Sequence, residues 1–276
     1  MAIALLLAPA NVSWAQLIDD AEDPPVTEEQ LAARKLAPPE GARRLVPEHD
    51  LWVDREKKRV YIDGRICLRR GQLEMFACPQ GTKEHESIVA ANTKAQVAHA
   101  ALLLVGAKVG QPVQFSPEYV PASGTVIEVY VIWKDAEGKQ HRVPAQEWIR
   151  NTRTKEPMKH NWVFAGSGFW TDETDGKRYY QAEAGDFICV SNFPSATLDL
   201  PVESTAANAG LLFEALTEKI PPLGAPVRLE LVPKLPEDVK AEGAEAAPAE
   251  SDAVEKASAD EPAGEPSADS ADERRS

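Results

Sequence analysis

The chain has 276 residues, a net charge of −14 and three cysteines, which allows one or two domains and argues against a cluster that needs four cysteine ligands. The charge is unevenly placed: residues from Lys234 onward carry 13 acidic and 5 basic side chains and residues 16–42 carry 7 and 2, so only −1 belongs to residues 43–233. A near-neutral domain offers no broad basic face, which argues against a nucleic-acid partner.

Residues 1–15 form an uncharged apolar run ending in Ser13-Trp14-Ala15 before Gln16. Small residues three and one positions before a junction are the pattern of a signal-peptidase site, so a signal peptide and export to the periplasm or cell envelope are expected. The charged n-region is missing, which fits either a start upstream of Met1 or a weak signal. The run is too short to span a membrane, and no membrane span is expected. Residues 16–42 are acidic and proline-rich and are expected to be a disordered linker.

The foldable part is residues 43–233, which hold five of the six tryptophans. Leu51–Asp54, Arg59–Ile62 and the segment to Cys78 read as a β-meander. Asp63-Gly64 is a two-residue hairpin signal. Gly71-Gln72 is placed in the next turn, so that Leu68 faces Met75, Ile66 faces Ala77, Arg69 faces Glu74, Cys67 faces Phe76 and Arg65 faces Cys78. On that register Cys67 and Cys78 are diagonal rather than opposed. Residues 92–105 read as a helix capped by Asn92 or Thr93 and ended by Gly106. It is apolar nearly all round and so is expected to be buried. Thr125–Trp133 and Gln140–Val143 read as strands about an Asp135–Gly138 turn, Pro144–Ile149 as a short helix, and 151–161 as a polar loop. Short strands are expected at 162–165, 168–171, 179–182 and 186–191, a second helix at 208–220, and a closing strand at 227–232. The pattern is α+β, an antiparallel-rich sheet covered by two helices. Residues 234–276 consist mainly of Ala, Glu, Asp, Pro and Ser, with no aromatic residue, and cannot offset their ordering entropy. This tail reads as a solvating appendage, with a basic partner as the alternative.

Three segments carry a family resemblance: Cys78-Pro79-Gln80-Gly81-Thr82-Lys83-Glu84-His85-Glu86-Ser87, Trp162-Val163-Phe164-Ala165-Gly166-Ser167, and Gly185-Asp186-Phe187-Ile188-Cys189-Val190-Ser191-Asn192-Phe193-Pro194. In this order and spacing they resemble the bacterial YdjY-domain family, over nearly all of residues 51–233. The resemblance implies a location in the cell envelope and no particular reaction. Some relatives are labelled ferredoxin-like, but an iron–sulfur cluster is not expected without clustered cysteines.

Several constellations could carry chemistry. Cys78, Glu84, His85 and Glu86, with His99 on the following helix and His160 in the polar loop, are ligand types for a zinc-like ion. Their spacing matches no metal motif, and a helix-capping polar loop with Cys78 as a small buried residue explains them as well. Cys78 and His85 could act as nucleophile and base, although Pro79 lacks the N–H that often helps form an oxyanion hole. The thiols Cys67, Cys78 and Cys189 could be redox-active or paired; Cys189 sits in an apolar run and is expected to be buried and inert. Trp162, Phe164, Phe169, Trp170, Tyr179 and Tyr180 could line a ligand groove with Ser167 and Asn192 as polar anchors, or could simply be core. There is no Walker loop, dinucleotide fingerprint or nucleophile elbow, and no nucleotide is expected. The reading that follows is an exported, non-catalytic domain that binds a protein or a small ligand. The alternative is a metal- or thiol-dependent protein centred on Cys78, Glu84, His85 and Glu86.

Overall fold

A computed structural model describes residues 26–204 and 212–236. In chain order its strands are β1 (Arg43–Arg44), β2 (Leu51–Asp54), β3 (Arg59–Ile66), β4 (Met75–Pro79), β5 (Ser87–Ala91), β6 (Val126–Lys134), β7 (Gln140–Pro144), β8 (Ile149–Asn151), β9 (Trp162–Val163), β10 (Phe169–Thr171), β11 (Arg178–Tyr180), β12 (Ile188–Cys189), β13 (Phe213–Ala215) and β14 (Pro226–Pro233). Two α-helices occur among the described residues, α1 (Glu28–Ala33) and α2 (Ala95–Leu104). One large sheet runs β12-β4-β5-β3-β14-β6-β7, with β1 and β2 added beside β3, and β9 beside β6. Its pairings are antiparallel apart from β4 with β5, which run parallel.

Alternation explains the centre of this sheet. Ile127, Val129 and Val131 of β6 and Val227, Leu229 and Leu231 of β14 point to one face and enter the core. The register sets Leu229 opposite Val131 and Leu231 opposite Val129, so apolar side chains stack across the ladder. The other face of β14 carries Arg228 and Glu230, both buried. Arg228 grips both carboxylate oxygens of Asp63 on β3, at 2.5 and 2.9 Å. Glu230 accepts from Arg59 of β3 and from Arg142 of β7, the latter at 2.6 Å. Charges can be buried here because each has its partner on another strand of the sheet.

Helix α2 lies against the sheet with Ala95, Ala98, Ala101 and Leu102 buried. Leu103 and Leu104 are 48% and 45% exposed, so the helix is buried on one side only and not all round as its composition suggests. Gly106 ends it as expected, at φ +93°, a left-handed conformation that suits glycine. Its start is capped from a distance. Neither Asn92 nor Thr93 caps it; the carboxylate of Glu183 accepts from Ala95 N and Gln96 N, at 3.3 and 2.9 Å. Glu183→Ala should therefore cost about 1 kcal/mol and release hydrogen-exchange protection in the first turn of α2. An unchanged urea midpoint would show that the cap contributes nothing.

Four further expectations are corrected. Asp63-Gly64 is not a hairpin turn: it lies inside β3, where Asp63 pairs with Arg228 and Gly64 lets the Ala90 backbone come close. The predicted hairpin that set Ile66 against Ala77 and Cys67 against Phe76 does not form. β3 pairs with β2, β5 and β14, while β4 pairs with β5 and β12. The second helix is also absent over the described part of 208–220. Phe213–Ala215 pairs antiparallel with β8, and Thr217–Lys219 is a single 3-10 turn; residues 208–211 lie outside the described residues. Pro144–Ile149 shortens to a 3-10 turn, Ala145–Trp148. Of the expected linker, residues 26–42 include α1, which has no buried residue but touches the core through Leu31. This segment is tied to the sheet where Arg228 Nη1 donates to Ala37 O at 2.8 Å.

Candidate functional site

The aromatic residues divide into two groups. Gly166 and Ser167, at φ +93° and +54°, turn the chain out of the core after β9 and into the two-stranded hairpin β10–β11. Its register pairs Phe169 with Tyr180, Trp170 with Tyr179 and Thr171 with Arg178. Phe169, Trp170 and Tyr179 are 44%, 47% and 40% exposed. Trp170 and Tyr179 stack at 5.2 Å, and the Arg178 guanidinium sits 4.7 Å above Phe169. Val109, also exposed, lies against Gly166 at the foot of the hairpin.

The second group is core. Trp162 and Phe164 are fully buried, and Trp162 Nε1 donates to Cys189 O at 2.7 Å. Asn192 is buried, donating to Asp199 Oδ1 and Leu200 O, both at 3.1 Å. Ser167 Oγ accepts from Ala182 N at 3.2 Å. Trp162, Phe164 and Asn192 are thus core rather than groove lining, while Ser167 is half-buried at the base of the hairpin. Tyr180 faces inward. Its hydroxyl donates to Gly166 O at 2.9 Å and lies 3.1 Å from Thr197 Oγ1 and 2.9 Å from His99 Nδ1. Burial pushes the Tyr180 phenol up to about 12 and lowers His99, so both are neutral near pH 7 and hold the hairpin base by hydrogen bonds.

The Cys78–Glu86 segment leaves β4 and folds back to begin β5. Glu84 accepts a bidentate pair from Arg65 Nη2 at 2.9 and 3.0 Å and another bond from Gly81 N at 2.8 Å. His85 is largely exposed, 3.6 Å from Glu86. Cys78 is fully buried, His99 is held at Tyr180, and the His160 backbone accepts from Gln146 in the polar loop. Among the described residues no three His, Cys, Asp or Glu side chains are grouped to hold a metal ion. The candidate ligands form no such group among the described residues, and Cys78 is buried where the His85 side chain is exposed.

Sequence reasoning missed two centres beside these. Lys83 Nζ lies 3.1 Å from Asp186, 3.5 Å from Glu74 and 3.8 Å from Glu86, and 4.5 Å above the Phe193 ring. Burial opposes its charge, but Asp186 and Glu74 outweigh burial and hold the ammonium above its usual range. The second centre is Asp199. It is fully buried; its Oδ1 takes Asn192 Nδ2 and Leu200 N, and its Oδ2 has no hydrogen-bond partner. Burial, opposed by the Asn192 bond, pushes this carboxyl up to about 7. The one signal in the sequence was its apolar setting, Leu198-Asp199-Leu200.

The fold is a sheet-rich α+β domain; Lys83 and Asp186 sit on the segments that carry the family resemblance, and the aromatic hairpin and Asp199 lie just outside them. A family profile described as the YdjY domain matches residues 51–232, more than half of the chain, and the chain belongs to that family. No curated protein and no solved structure matches it. No helix among the described residues is long and apolar enough to cross a membrane.

Proposed function

We propose that this chain is an exported, non-catalytic domain of the cell envelope that binds a protein or small ligand through the β10–β11 hairpin. The observation that carries the reading is the stacked pair Trp170 and Tyr179 held in solvent on one face of the hairpin, with Phe169 exposed on the other. Large contiguous apolar exposure marks interaction surfaces, and rigid aromatics supply much of the binding energy at interfaces. The apolar run before Gln16 supports export.

A photo-crosslinking amino acid placed at position 170, and for comparison at Arg153 in the polar loop, tests the surface in living cells. Position 170 should give a discrete adduct in the envelope fraction and position 153 should not. The purified partner should then bind the wild-type chain at least about tenfold more tightly than Trp170→Ala/Tyr179→Ala. Equal labelling at both positions, or equal affinities, would sink the proposal. Export is tested by fusion to a phosphatase that works only outside the cytoplasm, with activity expected only while residues 1–15 are present.

A further inference from the structure

We propose that a basic cleft at the C-terminal end of α2 is the docking site for the chain's own acidic C-terminal segment, beginning at Glu237. Two hollows, of about 410 and 500 Å³, share Arg55 and Leu104 as walls. Arg43 and Arg44 of β1 border the larger one, and Lys58 and Pro236 border the smaller. Leu104 is 45% exposed between them. The cleft therefore sets an uncovered apolar side chain among four basic ones.

The charge here is not balanced within the described residues. Arg44 is paired with Asp50 and lies over the Trp52 ring. Asp54 is taken up by the turn after β2, where its carboxylate accepts from Glu56 N and Lys57 N at 3.1 and 2.8 Å. The Arg43 and Arg55 guanidinium groups are exposed and have no ion pair or side-chain hydrogen bond among the described residues. Glu56 is the other carboxylate lining the cleft, so Arg43, Arg55 and Lys58 leave it positive. The occupant follows from where the chain goes next. Pro236 is part of the wall, and the 40 residues after it carry 13 acidic and 4 basic side chains. They open with Glu237-Asp238-Val239, two carboxylates and an aliphatic side chain, and Glu242 and Glu245 follow. That is the complement of two unpaired arginines beside an exposed leucine. Exposed ion pairs are individually weak, but the covalent tether supplies an effective concentration on the order of millimolar, so a few weak contacts suffice. Runs of like charge commonly act as interaction tails, and here the basic partner is the domain itself. An acidic segment of another protein has to displace the tail to reach this cleft. The inference rests on neither export nor the β10–β11 hairpin.

The test uses the full chain with a photo-crosslinking amino acid in place of Ala246, ten residues beyond the wall of the cleft. Illumination at low ionic strength should give an adduct within one chain, mapped by mass spectrometry to peptides that contain Arg43, Arg55 or Leu104. Its yield should fall at least about fivefold in 1 M salt, where the screening length drops to roughly 3 Å, and by a similar factor in Arg43→Glu/Arg55→Glu. Both arginines are on the surface, and if that variant nevertheless fails to fold, the salt series on the otherwise unaltered chain decides the matter. Adducts scattered over the domain, adducts that form only between two chains, or a yield indifferent to salt would each overturn the proposal.

Discussion

Gly64→Ala should remove much of the stability of the domain. A Cβ at residue 64 would stand 2.4 Å from Ala90 O and 3.2 Å from both Ala90 C and Ala91 Cα. These are backbone atoms of β5, a strand held by β3 on one side and β4 on the other. No flexible side chain can swing away, so the methyl group forces two ladders apart. Overpacking a core typically costs 1–3 kcal/mol, and a clash against fixed backbone belongs at or above the top of that range, about 3 kcal/mol or more. Set against a native stability of roughly 5–15 kcal/mol, this should lower the urea midpoint sharply or leave the chain insoluble. Gly138→Ala is the control. Gly138 has φ +80° and nothing within 4 Å of an added Cβ, so it loses only the glycine conformation, at about 1 kcal/mol. Equal midpoints for the two variants would show that the close approach to β5 is not what residue 64 is for.

The second large effect is a pH dependence centred on Asp199. Its carboxyl titrates near 3.8 when unfolded and at about 7 in the folded domain, because burial penalises the charged form. Between those values the folded state holds a proton that the unfolded state has lost. Stability therefore falls as pH rises from about 4 to about 7 and levels off above, by up to about 4 kcal/mol from this one group. Asp199→Asn keeps a carbonyl oxygen for Asn192 Nδ2 and Leu200 N and carries no charge. It should match wild type near pH 4.5 and exceed it by a few kcal/mol near pH 8. Denaturant unfolding at both pH values, with the two proteins side by side, measures this directly. A difference between them that does not change with pH would mean that Asp199 is ionised in the folded domain across the whole range.

Legibility in the sequence followed the range of the forces involved. The β6–turn–β7 segment, β14 and the Gly106 stop were readable because strand alternation and a left-handed cap are properties of a few consecutive residues. Asp63-Gly64 shows where this fails. The pair has the chemistry of a type I′ turn, yet the salt bridge to Arg228 and the space beside Ala90 make it strand. Residues 213–215 fail in the same way: an apolar spacing that suits a helix became strand because Ile149–Asn151 offered an edge to pair with.

The candidate sites divide along the same line. The sequence by itself determined the chain's family, its near-neutral α+β domain and the presence of thiols, carboxylates and aromatics in the signature segments, since composition and local pattern are carried by the chain whatever its partners. Only the tertiary structure decided which of them meet. Trp162 and Phe164 went inward while Trp170 and Tyr179 stayed out, because one side of Gly166 packs on the sheet and the other leaves it. Glu183 became the cap of a helix that ends nearly eighty residues before it in the chain. β3 and β4 ended on opposite sides of β5, where no hairpin register would have put them, because strand order in a sheet is set by long-range pairing that no local periodicity encodes.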